Sequence, residues 1–121
     1  MGNLVWIIDD DKGILEVTQI VLQDAGLTVK TIECERELDE ALKGELPNVI
    51  LLDIMIAGIE GTEVAKRLKS DQKTKHIPII MMSANTDLPE KAKIAGADSF
   101  IKKPYDIYDL EKKVKSYLTL T

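Results

Sequence analysis

The sequence predicts a doubly wound α/β domain, a parallel sheet covered by helices on both faces, on three observations. Short apolar runs rich in β-branched residues recur along the chain, stretches of helical periodicity separate them, and the connections are a few residues long. Continuous apolarity over four or five residues suits strands buried on both faces, and parallel neighbours joined through helices form right-handed βαβ crossovers.

The first strand is Leu4-Val5-Trp6-Ile7-Ile8, with Trp6 read as core. In the helix that follows, Ile14, Thr18, Val21, Leu22 and Ala25 share one face and Gly26 provides a left-handed stop. Asp11, directly before it, reads as its N-cap. The run from Leu27 to Ile32 is more polar and carries Lys30, as an edge strand would. Glu35 to Lys43 reads as a short helix bearing Leu38, Ala41 and Leu42, Val49-Ile50-Leu51-Leu52 as the third strand, and Thr62 to Lys69 as a helix bearing Val64, Ala65 and Leu68. The fourth strand is Ile77 to Met82. A fourth helix is announced by Asp87 as N-cap with Glu90 three residues on and Pro89 in the first turn, and Gly96 closes it. Ser99-Phe100-Ile101 is a weaker fifth strand, and Ile107, Leu110, Val114, Tyr117 and Leu118 mark the last helix. No repeat, low-complexity tract or linker interrupts the series, so residues 1–121 read as one domain.

Composition excludes several classes of function. A chain of 121 residues can bury one core, and 45% apolar against 31% charged residues is ordinary for a globular protein. No apolar run approaches the roughly 20 residues that span a bilayer, and the first residues lack the features of a secretory signal, so the expectation is a cytoplasmic protein with no membrane partner. Sixteen Lys and Arg against 21 Asp and Glu leave a net charge of −5, the wrong sign for direct nucleic-acid binding. Cys34 is the single cysteine, which excludes an internal disulfide and a thiolate metal site; it reads as a free thiol near a strand-to-helix junction. His76, in a polar stretch, reads as a solvated loop residue.

In open sheets of this kind ligands sit at the carboxyl ends of the strands. There the first strand runs into Asp9-Asp10-Asp11, the third ends at Asp53, the fourth at Ser83-Ala84 and the fifth at Lys102-Lys103-Pro104. Carboxylates about 4 Å apart repel by roughly 4 kcal/mol at an effective dielectric of 20, so a cluster of Asp9, Asp10 and Asp53 calls for a cation or raised pKa values. Mg²⁺ takes oxygen ligands and keeps open positions where a phosphate oxygen can bind. A carboxylate can attack phosphorus, provided the charge on the transferring oxygens is neutralised. Lys103 and the metal supply two clamps, Ser83 offers a hydroxyl, and small Ala84 leaves access to Asp53. Lys102 reads as a surface lysine.

Across essentially its whole length the chain resembles the receiver domains of two-component response regulators. The resemblance rests on Asp9-Asp10 after the first strand, Leu51-Leu52-Asp53-Ile54-Met55-Ile56-Ala57-Gly58 with Gly61 beyond, Met82-Ser83-Ala84, and Phe100-Ile101-Lys102-Lys103-Pro104. It implies a flavodoxin-like fold, five parallel strands in the order 2-1-3-4-5 with five helices. It further implies a phosphorylation-dependent signalling switch, not a turnover enzyme, in which Asp53 takes a phosphoryl group from a histidine kinase or histidine phosphotransfer protein. Mg²⁺, for which Mn²⁺ can substitute, would be held by Asp10 and Asp53 directly, Asp9 mainly through water, and the Met55 backbone carbonyl. Lys103 would contact the phosphoryl group across a cis Lys103-Pro104 peptide. Ser83 would be drawn toward that group while the Phe100 ring rotates inward, changing the surface of the fourth helix, fifth strand and fifth helix for an unknown downstream protein or for homodimerisation. Ala57 stands where many relatives carry proline and Phe100 where some carry tyrosine, and Met55 and Asn85 fall where the family tunes phosphoryl lifetime.

Three rival readings belong to other classes. A haloacid-dehalogenase-type phosphatase would want its nucleophile after the first strand with a second Asp two residues on, whereas Asp53 follows the third and Met55 holds that place. A flavodoxin-type flavin module would need a glycine- and hydroxyl-rich cradle where Asp9-Asp10-Asp11 stands. The third alternative is a phosphorylation-independent, receiver-like interaction module.

Overall fold

The structure, a computed structural model, describes residues 2–56, 59–84 and 88–118, with backbone alone at Met55, Ile56, Ile59 and Leu88. Five strands, β1 (Leu4–Ile8), β2 (Thr28–Ile32), β3 (Val49–Asp53), β4 (Ile79–Ser83) and β5 (Ser99–Lys102), form one parallel sheet in the order β2-β1-β3-β4-β5. Between and after them run α1 (Lys12–Asp24), α2 (Glu35–Ala41), α3 (Gly61–Ser70), α4 (Leu88–Ala95) and α5 (Ile107–Tyr117). The doubly wound expectation and its strand order are both met.

The period of two along the strands divides the interior into two layers. Trp6, Ile8, Ile50, Leu52, Ile79 and Met81 pack with α2, α3 and α4 through Leu38, Ala41, Val64, Ala65, Leu68, Ala92 and Ala95. Val5, Ile7, Val49, Leu51, Ile80 and Met82 pack with α1 and α5 through Leu15, Leu22, Leu110 and Val114. Each residue of β3 and β4 is buried, while Thr28 and Lys30 of β2 are exposed, as befits an edge.

Element ends differ from the expectation where a cap decides them. Leu27 closes α1 instead of opening β2: Gly26 adopts a φ of 92°, its N–H donates to Gln23 O at 3.0 Å, and the Leu27 N–H donates to Leu22 O at 3.0 Å, a Schellman stop. β4 starts at Ile79 because Ile77 belongs to the preceding turn, its N–H donating to Thr74 O, and Pro78 lends β3 a carbonyl but has no N–H. Asp11 caps α1 as expected, accepting from Ile14 N at 3.2 Å. Asp106, unforeseen, caps α5 by accepting from Tyr108 N at 2.8 Å. The sequence also gave no sign of the short antiparallel pair Met55–Ile56 with Ile59–Glu60. Gly96 closes α4 with a φ of 83°. The expected cap Asp87, and the positions Ala57, Gly58 and Asn85, lie outside the described residues.

Candidate functional site

The carboxyl end of the sheet gathers Asp9, Asp10, Asp53, Ser83 and Lys103. Asp9 extends the ladder one step past β1, its N–H donating to Ile32 O at 3.1 Å, so its side chain is drawn into the sheet end and has no exposure. Its Oδ1 accepts from Asp11 N at 3.0 Å, which turns the chain so that Asp10 faces outward. Asp53 is the last residue of β3, paired with Met82 of β4, and is buried; Ser83, the last residue of β4, is buried beside it while Ala84 is exposed. Lys103 follows β5 and is anchored by its N–H donating to Ser83 O at 2.8 Å; the Lys103-Pro104 peptide is cis.

From that anchor the Lys103 side chain reaches across the sheet end, its Nζ donating to Asp9 Oδ2 at 3.0 Å and to Asp53 Oδ2 at 3.0 Å. Burial works against its positive charge, but hydrogen bonds and attraction from Asp9 and Asp53 outweigh it, so its pKa lies above the ordinary 10.5 and it stays cationic at any physiological pH. Single carboxylate oxygens of Asp9, Asp10 and Asp53 all lie within 4.8 Å of one another. Ligand oxygens across an octahedron with bonds of roughly 2.1 Å stand about 4.2 Å apart, so the trio needs little adjustment to hold Mg²⁺. Three carboxylates against one lysine also leave a charge excess that suits a divalent cation. The donor set fits the ion.

Phe100 is not part of this cluster. It lies in β5 and is 40% exposed. Of Met55 only the backbone is described. Lys102 and His76 are exposed, Cys34 sits at the β2–α2 junction, and Trp6 is core, as expected.

Two features of the site went unread in the sequence. A Cβ on Gly61 would run into Asp53 O and the Ile54 main chain, so the start of α3 rests directly on the backbone at the end of β3. Tyr105 and Thr18 share a hydrogen bond of 3.1 Å that joins the loop after β5 to α1. Gly61 entered the sequence reading only as part of the pattern beyond Asp53, without its contact; the Tyr105–Thr18 contact, 87 residues apart in the chain, carried no signal.

The family profile described as "Response regulator receiver domain" matches residues 5–115. The chain belongs to the response regulator receiver family. Among similar proteins, the phosphate regulon transcriptional regulatory protein PhoB of Pseudomonas aeruginosa is 34% identical over 100% of this chain and 54% of its own length. The DNA-binding transcriptional regulator NtrC of Escherichia coli is 39% identical over 87% of this chain and 22% of its own length. The chain thus spans about half or less of these relatives. The chemotaxis response regulator CheY4 of Vibrio cholerae superposes with a TM-score of 0.88 at 27% identity, covering 98% of this chain and 100% of that one. Receivers are phosphorylation-dependent switches, not turnover enzymes: they take phosphoryl groups from histidine kinases, bind Mg²⁺ at an acidic pocket and act on downstream effectors. Membership also removes the phosphatase and flavin-module readings. Among the described residues, no helix is long and apolar enough to cross a membrane.

Proposed function

We propose that this receiver accepts its phosphoryl group on Asp53, with Lys103 and Ser83 as the groups that receive the transferred charge. The observation that carries the proposal is the shared lysine, whose Nζ lies 3.0 Å from both Asp9 and Asp53 where three carboxylates meet. An Asp53 carboxylate oxygen attacks phosphorus; the new P–O bond forms as the P–N bond to a donor imidazole breaks, and the imidazole nitrogen leaves with its electron pair and takes up a proton. Asp10, Asp53 and the Met55 carbonyl would hold Mg²⁺ directly and Asp9 mainly through water, and the ion would supply neutralisation of the phosphoryl oxygens. Lys103 transfers a hydrogen bond from Asp53 to a phosphoryl oxygen, and the Ser83 hydroxyl donates to another. Exposed Ala84 keeps the approach open.

The outward position of Phe100, 40% exposed in β5, leaves it a further, buried state to adopt when Ser83 is drawn to the phosphoryl group. α4, β5 and α5 would then be the surface that changes, for an effector or for a second copy of the chain. Such a shift draws only on differential stabilisation: reversing a 1:99 equilibrium takes roughly 5.5 kcal/mol, within reach of a few charge-assisted hydrogen bonds.

Incubation with acetyl phosphate, with and without Mg²⁺, followed by intact mass beside Asp53→Asn, tests this. One Mg²⁺-dependent, hydroxylamine-labile adduct absent from the variant is expected. An unmodified wild type, with a control receiver labelled in parallel, would overturn it in favour of a phosphorylation-independent interaction module.

A further inference from the structure

We infer that Tyr105 is a positioning residue, which through its hydrogen bond to Thr18 fixes the backbone that aims Lys103 at Asp53. The inference rests on the role proposed above for Lys103. A lysine side chain is long and carries about 2 kcal/mol of rotamer entropy, so its aim depends on how firmly its own backbone is held. On the β4 side that backbone is held by the Lys103 N–H on Ser83 O at 2.8 Å. Beyond Tyr105 the chain is held by Asp106, which caps α5. Alongside those anchors lies an open groove of about 440 Å³ that Thr18, Lys103 and Tyr105 themselves line with Gly13, Ile14 and Pro104, so one side of the loop faces open space. Tyr105 forms part of its wall: the ring packs against the core layer beneath α1 and α5, and the hydroxyl meets Thr18 Oγ1 at 3.1 Å. Thr18 is 1% exposed in the body of α1, a rigid partner.

The bond therefore closes a frame. The β1–α1 segment is gripped by Lys103 at Asp9 and by Tyr105 at Thr18, two residues separated only by Pro104 in one short loop. With the second grip released, the loop can relax toward the groove and carry the Lys103 Cα with it; displacements of about 1 Å in a reacting constellation cost up to a hundredfold in rate.

Tyr105→Phe keeps the ring and removes the hydroxyl, and Thr18→Val does the same for its partner. Each is assayed for phosphorylation rate with a small phosphodonor, Mg²⁺ affinity by calorimetry and Tm. Tyr105→Phe is expected to slow phosphorylation roughly fivefold, the scale of one hydrogen bond, with Mg²⁺ affinity unchanged. Because the double variant leaves no orphaned hydroxyl, it is expected to recover Tm while remaining slow. In a Lys103→Met background Tyr105→Phe is expected to slow the reaction no further. A wild-type rate in Tyr105→Phe, a rate that recovers together with Tm in the double variant, or equal slowing without Lys103 would each overturn the inference. A wild type that takes no phosphoryl group would instead overturn the reading of Asp53.

Discussion

Lys103 Nζ and Asp53 Oδ2, 50 residues apart in the chain, meet at 3.0 Å, and the same ammonium holds Asp9 at an equal distance. One lysine thus satisfies two carboxylates that are both largely shielded from water. Lys103→Met is expected to slow phosphorylation of Asp53 by roughly a hundredfold, the usual loss for one donor aimed at developing charge. The metal-free variant should also lose about 3 kcal/mol of stability, because buried Asp9 is left without its counter-charge. Urea melts in EDTA and in Mg²⁺ separate the two effects: the metal should restore much of the stability and little of the rate.

Alkaline pH offers a second probe of the same corner. Burial raises the Tyr105 phenol above its ordinary 10.0, outweighing the favourable influence of Thr18 and Lys103. Lys103 is raised above 10.5 by its carboxylates despite burial. Both groups bind their proton more tightly folded than unfolded, so their contribution is fully present below the unfolded values and is lost as pH climbs through the folded ones. The metal-free domain should therefore weaken from about pH 10 upward, and Tyr105→Phe with Lys103→Met should flatten that decline in a series of melts.

Mg²⁺ should stabilise the wild type measurably. At ten times its dissociation constant a ligand specific for the folded state contributes about 1.4 kcal/mol. In Asp10→Ala, which removes one member of the carboxylate trio, added Mg²⁺ should raise the Tm far less than it does in the wild type.

Gly61→Ala tests how closely α3 is laid against Asp53. Its Cβ would be driven into Asp53 O and Ile54 Cα, main-chain atoms that cannot swing away. A loss of about 2–3 kcal/mol is expected, with slower phosphorylation as Asp53 is displaced. Gly44→Ala, whose nearest neighbour would be Ala41 O at 3.8 Å, is the control and should stay within roughly 0.5 kcal/mol.

At the opposite end of the sheet, Lys69 Nζ donates to Asp98 Oδ2 at 2.7 Å and to Ile77 O at 2.8 Å, while Asp98 Oδ2 also accepts from Ile79 N at 2.9 Å. Asp98→Ala orphans the Ile79 amide and should cost about 2 kcal/mol in chemical denaturation. The phosphorylation rate of the folded fraction should be unaffected.

Most of the architecture was legible because the strands are buried on both sides. Val49 to Leu52 and Ile79 to Met82 leave no polar alternation to confuse them with anything but central strands, and the acidic and basic residues that break those runs fall at one end of the sheet. That Asp9, Asp10, Asp53 and Lys103 meet at that end could be read from where each breaks or follows an apolar run. Boundaries were less legible, because Leu27 is apolar and next to a strand yet serves as the helix stop beneath Leu22, a choice made by the φ of Gly26. Tyr105 was invisible as part of the site: its partner Thr18 is distant in sequence, and nothing in either residue announces the other.

Because every side chain from Val49 to Asp53 is enclosed, β3 has no face that tolerates error. A shift of one position along its neighbours would exchange the two interior layers residue for residue and draw Asp53 into hydrocarbon. The placement of the Asp53 carboxylate beside Lys103 is thus tied to the same register that sorts the apolar side chains of β3 between the two layers.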